Sequence, residues 1–456
     1  MSGAVFSAAE WSAATGGTWL LPPTPTQTFG VYTDTRQPGE GRLFLALAGE
    51  SFDAHDLLDK AVSGGAGALC IARSKTAKLP PDCPLPVLLT DDPLGAYQAI
   101  ANFHRCRFPH LKLAAVTGSV GKTSVKEMLR AIFTEAAGAD AVLYTLGNTN
   151  NQIGVPQNLL RLTSAHQYAV IEMGTNHFGE IAPLARCAAP NGALVNSIAP
   201  CHLEFLLSLE GVASEKSAVF SNLTYPEIAV IPEISAGNDI LQQAAQSHNM
   251  FTFGKESGSV RCRYCGGDLN GSSFFLDFAD GKSFKVHWKL SGSHQALNAA
   301  AAAALAQGLG VSPEIIAAGL ANTELPGMRT KRTDIAGATY INDAYNANPG
   351  SMRASFAWLK EFVNPGNLIL VLGEMRELGD FSAGEHAAIL DEALQLFPQC
   401  RIVTIGQYPQ RDNVRNFAVS VEAAEYLAGI VRQGDIVFAK GSRGIAVEKA
   451  LPPEAQ

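Results

Sequence analysis

Residues 111–129, LKLAAVTGSVGKTSVKEML, constrain this chain more than any other stretch. Leu113, Ala114, Ala115 and Val116 form an apolar run that enters a glycine-rich turn, Thr117-Gly118-Ser119-Val120-Gly121-Lys122-Thr123-Ser124. Apolar Val125, Met128, Leu129 and Ile132 then recur at helical spacing. Strand, turn and helix start in that order predict an α/β sheet with the turn at a strand's carboxyl end. Glycine lets backbone N–H groups approach an anion closely, and a helix N-terminus adds unpaired donors and partial positive charge. Lys122 can reach outer phosphates, and the Thr123 hydroxyl suits Mg²⁺. Val116 stands where the longer G-x-x-x-x-G-K-[ST] form has its first glycine, so only T-G-x-x-G-K-T-S remains. The segment predicts that Gly118, Ser119, Val120, Gly121, Lys122, Thr123 and Ser124 hold a nucleoside triphosphate.

Size and charge bound the rest. A chain of 456 residues suggests about three domains. Hydrophobic residues make up 47%, enough for several cores and too many for disorder. The formal net charge is −8, which offers no basic footprint for nucleic acid. No apolar run is long enough to span a membrane. The N-terminal MSGAVFSAAEW lacks a basic region followed by an apolar core, so it does not read as a secretory signal. Eight scattered cysteines suit a reducing cytoplasm. Cys262-x-x-Cys265 has no second pair at zinc-site spacing and reads as two chance cysteines.

The expected fold class is α/β in three domains, with boundaries at 1–108, 109–325 and 326–456. In the first, a strand over Arg42–Leu47, a helix around Ala54–Ser63 and a strand over Leu69–Ala72 alternate. The second begins at the phosphate loop and reads as a doubly wound sheet. Its strands Tyr168–Ile171 and Ala193–Val195 run into Glu172 and Asn196, where ligands sit in an open parallel sheet. Residues 250–290 read as short β segments, an excursion from that sheet. Residues 295–308 read as an alanine-rich helix packed tightly. The third section has strands at Thr339–Ile341, Leu368–Leu372, Arg401–Ile405 and Asp435–Ala439, separated by helices near 351–362, 384–396 and 420–432. It reads as a second, Rossmann-like α/β domain.

Several segments in order along the chain resemble the Mur ligases, in their D-alanyl-D-alanine-adding branch. They are TDTR (33–36), TGSVGKTS (117–124), GNTNNQIGVP (147–156), EMGTNHFGEI (172–181), HLEF (202–205), NDAYNANPGSM (342–352) and KGSR (440–443). The resemblance implies ATP-driven amide formation in peptidoglycan precursor synthesis. A carboxylate of UDP-N-acetylmuramoyl-tripeptide takes the γ-phosphate to become an acyl phosphate, and the amine of D-alanyl-D-alanine displaces phosphate. It implies a uridine-nucleotide domain, then an ATP domain, then a dipeptide domain that closes on it. Charge, hydropathy and cysteine usage together lead us to expect a cytoplasmic protein without nucleic-acid or membrane partners, and a monomer is expected.

By the same resemblance, Lys122, His202 and Lys216 are catalytic. Thr123 and Glu172 are ligands of a first Mg²⁺, and His202 and Lys216 serve a second. For that role Lys216 must be carbamylated, because an ammonium repels Mg²⁺ and a carbamate supplies the oxygen ligands it prefers. Lys126 and Lys449 read as plain helix-surface lysines. Asn298, Arg329 and Asp343 join the nucleotide site. Thr35 and Arg36, with Gly49-Glu50-Ser51-Phe52-Asp53-Ala54-His55, resemble a uridine-diphosphate pocket. Asn148, Asn151, Asn176 and His177 offer neutral groups for peptide or sugar amides, and the same residues suit turns. Tyr345, Asn346, Asn348, Ser351, Lys440 and Arg443 resemble the dipeptide and carboxylate side of the site. Departures from the pattern are Thr35 for serine, Ala54 for glycine, Gln295 for the first asparagine of H-N-x-x-N, and Val447 for methionine after KGSR. Rival readings are a folylpolyglutamate- or cyanophycin-type ligase of the same superfamily, and a P-loop switch or motor without ligase activity. No guanine-reading or remodelling motif supports the latter.

Overall fold

The computed structural model describes residues 3–49 and 51–456. Met1 and Ser2, at the head of the segment read for a leader, and Glu50 of the uridine-pocket resemblance lie outside them. Among the described residues, three largely parallel sheets follow one another along the chain, with one two-residue pair, Phe6–Ser7 against Thr28–Phe29, beside the first.

The first sheet has the order Thr18–Leu21, Val87–Thr90, Ala68–Ala72, Leu43–Leu45, Val31–Tyr32, antiparallel only at its first pair. The helix expected over 54–63 opens as a 3₁₀ turn, Ala54–Leu57, and becomes α-helical at Leu58–Ser63. Asp53 sets that start, since its carboxylate accepts the His55 N–H at 3.0 Å.

The second sheet positions the phosphate loop. Lys112–Thr117 lies third from one edge, between Tyr168–Glu172 and Gly192–Val195, all parallel. Chain order reverses there, so the loops after Thr117, Glu172 and Val195 open into one crevice. Residues 250–290 are not an excursion. Asn249–Gly254 pairs in parallel with Ile228–Pro232, and Val260–Asp268, Gly271–Phe278 and Ser283–Trp288 continue the same sheet as an antiparallel wing. The reason is burial: Phe253, Val260, Cys262, Phe274, Leu276, Val286 and Trp288 share one core with the phosphate-loop helix. Cys262 is buried within it and Cys265 is exposed, so the pair forms no shared site.

The alanine-rich helix, Ser293–Gly308, is buried almost throughout. Methyl side chains let it lie close to the strands, and glycine completes the approach: a Cβ on Gly308 would stand 2.6 Å from Ile228 Cγ2.

The third sheet runs Lys331–Ile335, Ala338–Asn342, Ile436–Lys440, Leu368–Gly373, Arg401–Ile405, Val414–Phe417, antiparallel only at its first pair. Its helices are Pro349–Leu359, Ser382–Leu396 and Ser420–Ile430. Its central strands end at Asn342, Lys440 and Gly373, and the turns that follow them face the crevice of the second sheet. The strands at Lys331–Ile335 and Val414–Phe417 carry too few apolar residues to stand out in the sequence. No helix among the described residues is long and apolar enough to cross a membrane.

Candidate active site

The phosphate loop is built by conformation first. Gly121 has φ 81°, and a Cβ there would lie within 3 Å of both Asn196 and Asn298. Only glycine fits. The helix Lys122–Ala137 begins at the next residue, so its first-turn amides have no partner of their own within the helix. Two loop amides are already committed: Ser119 N–H donates to Ser197 O at 2.8 Å, and Val120 N–H to Ser197 Oγ at 3.0 Å. The donors left for phosphate therefore start at Gly121. Lys122 Nζ donates to Gly118 O at 2.8 Å, folded back over the loop.

Glu172 ends its strand inside the crevice, 2% exposed. Its Oε2 accepts from Thr123 Oγ1 at 2.9 Å and its Oε1 from Asn150 Nδ2 at 2.9 Å. The carboxylate thus touches a hydroxyl and an amide but no lysine. Arg329, from the connection into the third sheet, donates from Nη2 to the same Thr123 Oγ1 at 3.0 Å and lies over the Tyr345 ring at 4.2 Å. Asn196 ties the loop to the alanine-rich helix. Its Nδ2 donates to Val120 O and to Asn298 Oδ1, both at 2.9 Å. Gln295, which departs from the family pattern, accepts from Asn298 Nδ2 at 3.1 Å and so keeps Asn298 oriented.

The loop after Glu172 is held by two carboxylates. Glu180 Oε2 accepts the N–H groups of Asn176 at 2.7 Å and His177 at 3.1 Å. Glu215 accepts those of Gly179 at 2.7 Å, Glu180 at 3.0 Å and Ile181 at 2.8 Å. Its neighbour Lys216 is fully buried, and its Nζ has no hydrogen-bond partner among the described residues. Burial pushes that amine down to about 8, with the nearby Lys122 charge acting in the same direction and Cys201 and Glu215 opposing. Lys126, read from sequence as a surface lysine, is instead 1% exposed. It sits on the helix face that packs against the sheet, where Thr145 O accepts from it at 3.1 Å. Lys449 is exposed as expected.

His202 opens the short helix Leu203–Leu206 with φ 51°. Its Nδ1 lies 2.7 Å from Glu377 Oε2, without the alignment of a hydrogen bond. That contact is the main influence holding the Glu377 carboxyl below its ordinary value, against its partial burial. On the third sheet, Asp343 accepts from Thr330 N at 3.2 Å and Ser355 Oγ at 3.3 Å and pairs with buried Lys440. Asn346 turns its Oδ1 to Ala347 N at 2.9 Å. Asn348 and Ser351 form a capping box that starts the helix Pro349–Leu359.

Most of these groups line one cleft of about 670 Å³. Of the residues singled out from sequence, Ser119 to Ser124, Asn148, Asn151, Glu172, Asn176, His202, Asn298, Arg329, Asp343, Tyr345, Asn346, Asn348, Ser351 and Lys440 line it. Gly118, Thr35, Arg36, His177, Lys216 and Arg443 stand off its wall. Arg36 is exposed and paired with Asp34, His177 lies against the Phe205 ring, tilted, at 4.2 Å between centroids, and Arg443 pairs with Glu448 at 3.1 Å. Val447 is fully buried and packs on Gly373 and Gly441, so it serves the core under KGSR.

Sequence reasoning missed Glu377, Glu215 and the bridging role of Asn196. Glu374 directly follows the strand Leu368–Gly373, the positional signal that found Glu172, and Glu377 lies three residues further into that turn. Asn196 likewise follows the strand Gly192–Val195. Glu215 carries no such mark.

The Mur ligase middle domain family matches residues 116–306, and the Mur ligase glutamate ligase domain family matches residues 328–443. The UDP-N-acetylmuramoyl-tripeptide–D-alanyl-D-alanine ligase of Escherichia coli (strain K12) is 38% identical over 433 residues, 92% of each chain. A crystal structure of MurF from Acinetobacter baumannii superposes with a TM-score of 0.90 at 32% identity, covering 99% of this chain and 98% of that one. MurF ligase from Thermotoga maritima, solved in complex with ADP, gives 0.81 at 25% identity over 94% and 96%. Both family matches and a relative 38% identical over 92% of each chain show that the chain belongs to the Mur ligase family.

Proposed function

We propose that this protein joins D-alanyl-D-alanine to UDP-N-acetylmuramoyl-tripeptide, using ATP and an acyl-phosphate intermediate, in peptidoglycan precursor synthesis. The observation that carries the reading is the near full-length likeness to ligases of that name, together with the facing ends of the second and third sheets. Residues 1–108 would hold the uridine nucleotide, 109–325 ATP and 326–456 the dipeptide. The same reading expects a monomer in the cytoplasm.

Phosphoryl transfer asks mainly for positioning and neutralised charge. Lys122 and the first-turn amides of its helix would hold the triphosphate. Arg329 reaches the loop from the third-sheet side and would add a cation once the two sheets face each other. Attack of the tripeptide carboxylate on the γ-phosphorus breaks the bond to ADP. The dipeptide amine then attacks the acyl carbon, and phosphate leaves.

The donor set fits Mg²⁺. Thr123 Oγ1 and the Glu172 carboxylate are hard oxygen donors; no cation among the described residues engages the carboxylate, and Arg329, which donates to Thr123 Oγ1 at 3.0 Å, would have to yield that oxygen to the ion. His202 would serve a second ion with Lys216, whose unpartnered buried Nζ is what a site completed by carbamylation requires. There the neutral amine bonds to CO₂ and releases one proton. The depressed pKa of Lys216 favours that amine. Mg²⁺, when bound, offsets the charge on the transferring phosphoryl group.

Phosphate release from ATP is the test. It should require both UDP-N-acetylmuramoyl-tripeptide and D-alanyl-D-alanine, with free D-alanine, L-alanine and L-glutamate poor substitutes. Best turnover with L-glutamate would move the chain to the folylpolyglutamate type. Release independent of both substrates would make it a nucleotide switch.

A further inference from the structure

His202 and Glu377 reach each other from different sheets. His202 lies beyond the strand Gly192–Val195, and Glu377 beyond Leu368–Gly373. Neither is glycine, yet both hold left-handed backbone, with φ 51° and 66°. Each such residue carries roughly 1 kcal/mol or more of strain, which persists only where surroundings enforce it. The surroundings are visible. Gly379, φ 54°, is pressed on the turn that follows His202, and a Cβ there would lie 3.1 Å from Glu204 Cα. Leu378 beside it is 1% exposed. The two turns interlock, and the outcome is the 2.7 Å approach of Glu377 Oε2 to His202 Nδ1.

A carboxylate on Nδ1 has a definite consequence for an imidazole. By its charge at 2.7 Å, and by a hydrogen bond once the ring turns into line, it favours the proton on that nitrogen and leaves the Nε2 lone pair free for a cation, while making the ring a stronger donor. Here the carboxylate comes from the third sheet and the imidazole from the second. His202 therefore has this partner only while the two are docked.

We infer that Glu377 is a positioning residue that prepares His202 to hold a divalent cation, and that it couples cation binding to docking of the third sheet on the second. The inference rests on the proposed reading of His202 as a metal ligand. Coupling of this kind is reciprocal: whatever factor docking adds to cation affinity, the cation adds to docking. A plain ion pair between the sheets would hold them together equally well with or without the cation.

Mn²⁺ separates these cases, titrated into the full chain with ADP and followed by electron paramagnetic resonance. Small-angle scattering with and without Mn²⁺ reports compaction. Glu377→Ala should weaken one Mn²⁺ by about 10-fold or more and abolish Mn²⁺-dependent compaction. Glu377→Gln, which keeps an acceptor oxygen for Nδ1 but no charge, should recover part of both. In a double-mutant cycle, Glu377→Ala should add nothing to His202→Ala. If His202→Ala binds Mn²⁺ as the parent does, the ligand reading fails and this inference with it. If His202→Ala loses one Mn²⁺ while Glu377→Ala and Glu377→Gln keep the parent's affinity and compaction, the ligand reading stands and the coupling is overturned.

Discussion

Lys126 and Lys216 are both buried lysines on helices beside the cleft, 1% and 0% exposed, and they are treated oppositely. On Lys122–Ala137, Lys126 Nζ is 2.8 Å from Glu127 Oε1 and donates to Thr145 O at 3.1 Å. Glu127 also holds Arg130 at 2.7 Å. On Leu209–Ser217, Lys216 Nζ meets no acceptor among the described residues, although Glu215 precedes it in sequence. That carboxylate is spent on the backbone of residues 179–181. A buried cation closed by its own carboxylate is a part of the fold. A buried amine left open is poorly tolerated as a cation and is available for chemistry.

The largest expected effect tests whether that openness is used. Lys216→Ala should lower turnover roughly 10²–10³-fold, the scale of removing one preorganised charge-stabilising group. Lys216→Arg should not restore it, since arginine keeps the positive charge. Acetate or propionate should recover part of the rate by supplying the missing carboxylate. With ¹³C-bicarbonate, a carbamate resonance should be present in the parent and in Lys126→Met, and absent in Lys216→Ala. Full turnover of Lys216→Ala at low bicarbonate would return Lys216 to a passive role.

Next in size is a stability effect of unusual sign. The folded Lys216 titrates at about 8, and an unfolded lysine near 10.4. Burial penalises the charged amine, so the folded state bears the full penalty below about pH 8. Between about 8 and 10.4 the folded amine is neutral while the unfolded chain still binds a proton, and stability rises. Above that both are neutral and the penalty is gone. Lys216→Met should therefore stabilise the ligand-free protein in CO₂-free buffer by roughly 3 kcal/mol at pH 7, and the gain should vanish toward pH 10.5. A gain that stays constant over that range would mean that shape, not charge, is responsible.

Lys126→Met should do the reverse. It leaves Glu127 buried with only Arg130 as partner and Thr145 O without its donor. A loss of about 2 kcal/mol is expected, read as a lower urea midpoint with turnover within a few-fold of the parent. An Mg²⁺ requirement altered in this variant would break the comparison, because Lys126 would then belong to the site.

The sequence carried much of this contrast, though unevenly. The phosphate loop was legible because strand, glycines and helix start are local and contiguous. Glu172 was legible because a carboxylate after an apolar strand has one place to be in a parallel sheet. Lys216 was reached only through resemblance, since nothing within Glu210–Lys216 says that Nζ is buried or that Glu215 is spent elsewhere. Lys126 was misread because lysine on a short helical pattern is usually solvated, and its closing partner on the strand side, Thr145, lies 19 residues away in sequence. Glu377 and His202 are farther apart still, and their contact depends on how two sheets dock. The β segments at 250–290 were seen, but their membership of the central sheet rests on which core buries them, a property of packing rather than of period.

The smallest expected effect extends the comparison to the surface. In the first sheet's unit, Asp53 gathers Lys75 and Lys78, each at 3.0 Å, and His55 Nδ1 at 2.6 Å. This carboxylate is saturated with cations, like Glu127, yet the lysine side chains are 39% and 34% exposed. Water already solvates an exposed ammonium, so its pair contributes little, and Asp53 keeps two other partners when one is removed. Lys75→Ala should cost about 0.5 kcal/mol or less, seen as a small fall in Tm that shrinks further at high salt. A loss as large as that of Lys126→Met, and insensitive to salt, would show that burial is not what separates a lysine that holds the fold from one that merely decorates it.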